Sequence, residues 1–399
     1  MMGIKRTQGL PVLLLGAVLS NSAVAQTEIS PNVYSGISYL SNVFKLDGET
    51  EAALLLDGQK LNDLVKEYGA SLDANIDYNQ QTAKFQMQWK SHRYNQFKFL
   101  NNDSRKFATR WWGRLGGPLM AGFNYEHRTE LTDYSEISRT IDFKNEKQQD
   151  GLGGRLRFEL SGKWRLEAES NFSRTRFTHE SYSWSNLDKL SVHGGVSFQR
   201  SPMKSVRFIA RAAYHDYIDR DFTDRSVVDS QHYSYDAFTA INWSFAGASA
   251  IDMKFGMRQR QHVHLTDRNV IGPLADVRFR WAPSTMYLFS LSYRYEKEPV
   301  ERVLTNYATV NEVAVTSKLQ PLHNLTANVT GIRRWYDYRD GNDDVQRSDY
   351  QVTGVLEINY LFREHASTGV FVRRDFRESN IQYGDYDSTV SGVNINLIL

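Results

Sequence analysis

Beyond residue 25, apolar and polar positions alternate along most of the chain. Trp164, Leu166, Ala168, Ser170 and Phe172 fall on one parity, and Arg165, Glu167, Glu169 and Asn171 on the other. The same beat recurs at Ile251, Met253, Phe255 and Met257 against Asp252, Lys254, Gly256 and Arg258. It recurs again at Tyr287, Phe289, Leu291 and Tyr293 against Leu288, Ser290, Ser292 and Arg294. Period two predicts strands with one face in an apolar medium and the other in water. Segments of about ten such residues match a tilted strand crossing a bilayer. The pattern therefore predicts an all-β, up-and-down antiparallel transmembrane barrel.

Turn chemistry divides the pattern into hairpins. Short connections are expected at 79–81, 116–118, 161–163, 201–204, 246–248, 282–284, 320–322 and 364–365, where Gly, Pro, Asn and Ser dominate. Longer polar connections are expected around 44–65, 131–149, 178–187, 216–231, 337–348 and 378–388, with shorter ones near 100–105, 263–269 and 298–302. Short-long alternation predicts short periplasmic turns and long outer loops, with about 18 strands (16 as the alternative) and both termini periplasmic. The first strand, Val33 to Val43, and the fourth, Lys106 to Leu115, have the weakest patterns. Glu51 to Tyr68 does not alternate. The spacing of Leu61, Leu64, Val65 and Tyr68 predicts a short helix in the first outer loop, either a partial plug or a loop staple. The last strand alternates Val393, Ile395, Leu397 and Leu399 with Asn394 and Asn396, and ends on Leu399 where most such barrels end on an aromatic residue.

The first residues read as an export signal. Lys5 and Arg6 precede an apolar run from Leu10 to Leu19, and Ala23-Val24-Ala25 offers a cleavage site. The expected organisation is a cleaved leader at 1–25 and one outer-membrane barrel domain at 26–399. The chain has no cysteine, which excludes disulfides and thiolate chemistry. Mean hydropathy is −0.53, and no second long apolar run exists. That excludes a helical membrane protein but not a barrel, half of whose strand residues face water. The formal charge of +2 falls to 2 − 2 = 0 once Lys5 and Arg6 are removed, so no global basic field for nucleic acid is expected.

Aromatic residues make up 13% of the chain. Tyr78, Trp89, Trp111, Trp164, Tyr214, Trp243, Trp281, Trp335 and Tyr360 sit near strand ends, as in the aromatic girdles of membrane barrels. Trp112 has the opposite parity and is expected in the lumen, where girdle packing does not apply and sugar stacking does. Parity also turns Arg110, Arg114, Arg155, Arg157, Arg165, Arg207, Arg211, Arg258, Arg260, Arg278, Arg280 and Arg294 inward. Asp73, Asp77, Glu126, Glu159, Glu167, Glu169, Asp236, Asp252, Glu296, Glu312 and Glu357 share that face. A charge facing lipid at the midplane costs about 2–4 kcal/mol, which fixes the direction. These charges either pair across strands and wet the lumen, or form an arginine track for an anionic or hydroxyl-rich chain.

Signals for catalysis are weak. His262 and His264 make at most half a metal site, with no third ligand at fixed spacing. His215-Asp216 and His232 lack a partnered nucleophile, and no P-loop, dinucleotide or nucleophile-elbow motif occurs. No enzyme activity, metal or cofactor is expected. Gly151-Leu152-Gly153-Gly154 reads as a strand entrance with close packing.

Ile37-Ser38-Tyr39-Leu40-Ser41-Asn42-Val43-Phe44-Lys45-Leu46 resembles the opening Tyr-x-x-Asn-apolar-Phe-basic-Leu of EpsL-type exopolysaccharide outer-membrane barrels, also called beta-barrel porin 2. Tyr68-Gly69-Ala70-Ser71-Leu72-Asp73 and Asn79-Gln80-Gln81 resemble that group's second strand and first periplasmic turn. The resemblance implies export of an extracellular polysaccharide beside periplasmic synthesis and export proteins, and carries no catalytic residues. The alternative is a general or substrate-specific porin for diffusion of small solutes, anionic ones among them, and a third reading is a structural or enzymatic barrel. Expected partners are outer-membrane lipid, the polysaccharide and the periplasmic machinery, with no nucleic acid.

Overall fold

The computed structural model describes residues 26–399 except 49–50, 52–54, 57–58, 133–142, 202, 224–227, 246–247, 303–304 and 340–343. The leader expected at 1–25, most of the connection expected at 131–149 and the tip of the turn expected at 246–248 lie outside the described residues. Among those described, eighteen strands form one sheet. They are β1 (Gln26–Leu40), β2 (Asp63–Tyr78), β3 (Gln81–Tyr94), β4 (Asn102–Gly116), β5 (Leu119–Leu131) and β6 (Glu146–Glu159). Next come β7 (Trp164–Phe177), β8 (Leu187–Ser201), β9 (Lys204–Asp216), β10 (Gln231–Phe245), β11 (Ser249–His262) and β12 (Val270–Ser284). The last are β13 (Tyr287–Arg302), β14 (Thr305–Leu322), β15 (Leu325–Arg339), β16 (Val345–Arg363), β17 (Ala366–Ser379) and β18 (Tyr386–Ile398). Each pairs antiparallel with the next, and β1 pairs with β18, with Gly36 opposite Asn394, so the barrel closes. Closure removes the sheet edges, and eighteen strands leave an aqueous lumen.

The strands run from 13 to 19 residues, longer than the ten expected. Hairpin pairing continues past the apolar band into polar residues, which narrows the outer connections. β1 thus begins at Gln26, not Val33, and β4 spans Asn102–Gly116, not Lys106–Leu115. Two of the short turns fall later than predicted, at 285–286 and 323–324. Pro283 and Pro321 sit instead in register shifts, between Trp281 and Ser284 and between Leu319 and Leu322. Proline has no N–H for the ladder, so it interrupts a strand as readily as it ends one. The predicted helix is also displaced. Leu64, Val65 and Tyr68 lie in β2, while residues 48, 51 and 55 are helical.

The packing is inverted relative to a globular domain. Exposed apolar residues ring the outside, among them Leu156, Leu166, Phe208, Phe255, Leu291, Val329 and Val372. Only a hydrocarbon surround accommodates a continuous belt of that kind. Aromatic pairs mark both rims: Trp164–Phe198, Trp281–Tyr287 and Tyr360–Phe362 near the short turns, and Tyr68–Trp89, Tyr214–Tyr233 and Trp335–Tyr350 near the long loops.

The buried apolar cluster lies in the outer loops. Phe44, Leu46 and Leu56 of the first loop pack on Phe97 and Leu100 of the second, with Leu131 against them. The loops are also tied circumferentially. The Asp63 carboxylate accepts from the N–H groups of Gln96 and Phe97, and Asp229 from those of His264 and Leu265. Arg220 donates to the Trp184 carbonyl, Arg268 to the Thr305 carbonyl, and Ser388 to the Asn42 carbonyl. An epitope inserted after exposed Asp221 is expected to be labelled on intact cells. Labelling only after the outer membrane is broken would reverse the topology.

Candidate functional site

The lumen wall is a set of charged rungs. Reading across the register, one rung runs Arg155, Glu169, His193, Arg211, Asp236, Arg258 over β6 to β11. Basic and acidic side chains meet across the strands because each strand presents its inward parity at the same height, with His193 and Arg211 the one adjacent basic pair in this rung. Asp236, 3% exposed, accepts from Arg211 and from Arg258 at 2.9 Å. Arg258 reaches on to Glu296 at 2.9 Å, which also takes Arg294. His193 lies 3.5 Å and Arg155 3.9 Å from Glu169.

A second cluster occupies β4 to β7. Arg155 and Arg157 converge on Glu167 at 3.0 and 2.9 Å, and Arg114 and Arg165 approach Glu159 at 3.2 and 3.8 Å. Trp112 belongs to this group. Its ring lies across Gly122, where an added Cβ would stand 2.4 Å from it. Only glycine there leaves room for the indole. The guanidinium groups of Arg155 and Arg157 stand 5.6 and 5.2 Å from the ring centre. Cations therefore cover the surface that a sugar would need for stacking. Gly153, mid-strand in β6 rather than at its entrance, is wedged between the Asn124 and Asn171 side chains.

The arginines named from sequence thus fall into three groups. Arg114, Arg155, Arg157, Arg165, Arg211, Arg258, Arg280 and Arg294 are ion-paired, Arg280 with Asp252 at 2.8 Å. Arg110, Arg207 and Arg278 form no ion pair among the described residues. The register explains the last two. Arg207 stands opposite Ser197 and Ala240, and Arg278 opposite Ser292 and an Asp252 already taken by Arg280 and Asn242. Arg260 departs from the track. It is 1% exposed and donates to His232 Nδ1 at 3.1 Å, under the outer loops.

That corner holds what sequence separation concealed. His215, His232 and His262 stand opposite one another on β9, β10 and β11, with the His215 and His232 rings 4.2 Å apart. Ser234 Oγ lies 3.3 Å from His215 Nε2, so a hydroxyl partner does exist. Asp216 follows His215 on the strand and so points to the opposite face, and among the described residues no carboxylate orients the imidazole as a hydrolytic triad requires. His264 binds Asp229 at 2.8 Å. Among the described residues no group of three or more ligating side chains is arranged to hold a metal ion.

The residues quoted for the exopolysaccharide-barrel resemblance have a local structural task. Asn42 Nδ2 donates to the Leu46 carbonyl at 2.9 Å, and Leu46 N–H donates back to Asn42 Oδ1 at 3.1 Å. This clasp turns Phe44, 1% exposed, into the loop cluster. The motif closes a loop, and among the described residues it makes no hydrogen bond or ion pair with the arginine rungs.

No family model matches the chain, and no curated protein matches it. Solved structures do. The outer membrane protein OpdK from Pseudomonas aeruginosa superposes with a TM-score of 0.51 at 8% identity, over 93% of this chain and 99% of that one. OccK2 (OpdF) from the same organism, solved in complex with glucuronate, matches at 0.51 and 8%, over 93% and 98%. Identity this low establishes the fold alone. The chain has the closed 18-strand antiparallel fold of outer-membrane barrel porins. The specific exopolysaccharide assignment finds no match.

Proposed function

We propose that this chain is an outer-membrane porin for diffusion of small anionic solutes. The observation that carries the reading is the uncompensated charge of Arg207 and Arg278 on the wall of a water-filled lumen. Among the described residues the other arginines named on the lumen wall are neutralised by a neighbouring acid or covered by loops, apart from Arg110 on β4. Screening over about 8 Å confines the effect to solutes that pass close to the wall. Guanidinium groups at such a wall suit carboxylates, which they bind in bidentate fashion. The structural similarity to OccK2, solved with glucuronate, and to OpdK, solved with vanillate, agrees with this chemistry. Transport needs no nucleophile, metal or cofactor.

The test is the double variant Arg207→Gln/Arg278→Gln in planar bilayers under a salt gradient. At about 8 Å in water one unit charge changes an anion's energy by about 0.5 kcal/mol before screening. Losing two predicts about a threefold fall in the anion-to-cation permeability ratio, with conductance and heat resistance retained. An unchanged ratio would reduce these arginines to lumen filling. The polysaccharide-export reading rests on the N-terminal resemblance. It predicts an additional outcome that diffusion of small solutes does not: the double variant would also lower secreted polymer.

A further inference from the structure

On the lipid side of β2 to β4, three cations gather at the outer rim. Lys66 stands opposite Arg93, and Arg105 stands opposite Trp89. Their parity is that of Tyr68, Leu72, Met87 and Trp89, all exposed on the outer surface. Arg93 is held in place: it donates to the carbonyls of His92 and Asn102 and pairs with Asp103 at 2.9 Å, its guanidinium 5.9 Å from the Tyr68 ring centre. Lys66 and Arg105 are exposed and form no ion pair among the described residues. Three cations against one acid leave the patch at 3 − 1 = +2.

Height along the strands places the patch. Trp89 lies 89 − 81 = 8 residues above the start of β3, and Tyr68 lies 78 − 68 = 10 above the end of β2. At about 3.3 Å per residue and a tilt of about 40°, those rings stand about 20 and 25 Å up, at the edge of an apolar band about 25 Å tall. Lys66 and Arg93 lie 12 residues up, or about 30 Å, and Arg105, opposite Trp89 in the register, stands level with that ring. The order is therefore apolar band, aromatic pair with Arg105 beside it, then Lys66 and Arg93. Acyl chains would lie on Leu72 and Met87, and an anionic headgroup would meet Lys66, Arg93 and Arg105.

We propose that this patch is a binding site for a phosphate group of an outer-leaflet glycolipid. Phosphate offers the charge and the acceptor oxygens that a bound guanidinium and two free cations match, and the adjoining apolar strip takes the acyl chains. Elsewhere on the belt Arg174 and Arg176 share Asp188, Arg374 is paired with Asp387, and Arg333 lies over the rings of Trp335 and Tyr350 at 4.5 and 4.8 Å.

The test measures lipid retained by the full-length barrel purified in detergent and supplied with bis-phosphorylated lipid A. The variant Lys66→Gln/Arg105→Gln is expected to retain about tenfold less, as the loss of one or two charge-assisted contacts implies. Lys204→Gln is the matched control, since Lys204 is a lipid-facing cation over Trp243 at 4.8 Å on the opposite rim. It should retain wild-type amounts. Dephosphorylated lipid A should be held equally weakly by wild type and double variant, and inorganic phosphate should not compete. If Lys66→Gln/Arg105→Gln assembles poorly, the pair Lys66→Arg and Arg105→Lys keeps both charges and should retain the lipid. Equal retention of the phosphorylated lipid by wild type and the Gln variant, retention of the dephosphorylated lipid by wild type as strong as that of the phosphorylated one, or competition by free phosphate would each overturn the site.

Discussion

Replacing Phe255 by arginine is expected to block barrel assembly, while Thr316→Arg is expected to leave it intact. Phe255 is 45% exposed on the outer surface of β11, between Thr239 of β10 and Ala275 of β12. It lies 255 − 249 = 6 residues from the start of its strand, about 15 Å up and near the middle of the apolar band. An arginine there faces hydrocarbon and costs about 2–4 kcal/mol. That is a large part of the stability of an ordinary fold. Thr316 faces the lumen opposite Ser290 and Thr330, where the same side chain meets water and two hydroxyls. The measurement is the fraction of protein recovered in the outer membrane as the heat-modifiable folded form. Equal recovery of both variants would mean that the parity of β11 is reversed. Arg258→Ala is a poorer control than sequence parity suggests, because Arg258 bridges Asp236 and Glu296 and its loss leaves each of these buried carboxylates with one cation, Arg211 and Arg294.

The strand parity was legible because the bilayer imposes it on every residue. Each of Trp164, Leu166 and Phe172 must solve the same solvation problem, so the signal repeats and local exceptions do not erase it. Turn positions were less legible. Pro283 and Pro321 mark a missing ladder N–H, and a bulge meets that condition as well as a turn does. The first loop was misread for a related reason. Leu64, Val65 and Tyr68 carry a helical spacing, but Val65 is buried at 2% on the inner side while Leu64 and Tyr68 are exposed outside. Pairing with β1 and β3 decided their conformation, and no local window contains that partner.

The site shows the same limit. Inward direction followed from parity, but compensation did not. Arg207 and Arg211 look equivalent in sequence, four residues apart on one strand face. Register sets Asp236 opposite Arg211 and Ala240 opposite Arg207, so one is neutralised and the other is not. His215, His232 and His262 became neighbours only through two hairpins. Arg260 had the parity of a lumen residue but not its exposure, because the outer loops fold over that end of β11.

Loop closure yields the second large effect, at Asp229. This carboxylate is fully buried between the connections 217–230 and 263–269. It accepts from Gln231 N–H at 3.1 Å, His264 N–H at 2.8 Å, Leu265 N–H at 3.0 Å and the His264 imidazole at 2.8 Å. Burial by itself would raise its pKa, but the donors from His264, Leu265 and Gln231 outweigh burial and hold it well below the usual carboxylate range. Asp229→Ala leaves several buried donors without an acceptor, at about 1–3 kcal/mol each. The barrel strands do not depend on this residue, so the cost falls on the loops. Trypsin cleavage at Arg220, which donates to the Trp184 and Asp229 carbonyls, is expected to accelerate at least about tenfold on intact cells. Asp229→Asn keeps one acceptor oxygen and should fall between. The pH dependence has a definite sign. A carboxylate with a depressed folded pKa contributes its stability above its unfolded value of about 3.9 and loses it as pH falls through the lower folded value. Protection of Arg220 in the wild type should therefore stay flat from about pH 8 down to about pH 4 and decline only below that. Protection lost near neutral pH, or an unchanged cleavage rate in Asp229→Ala, would show that another contact closes these loops.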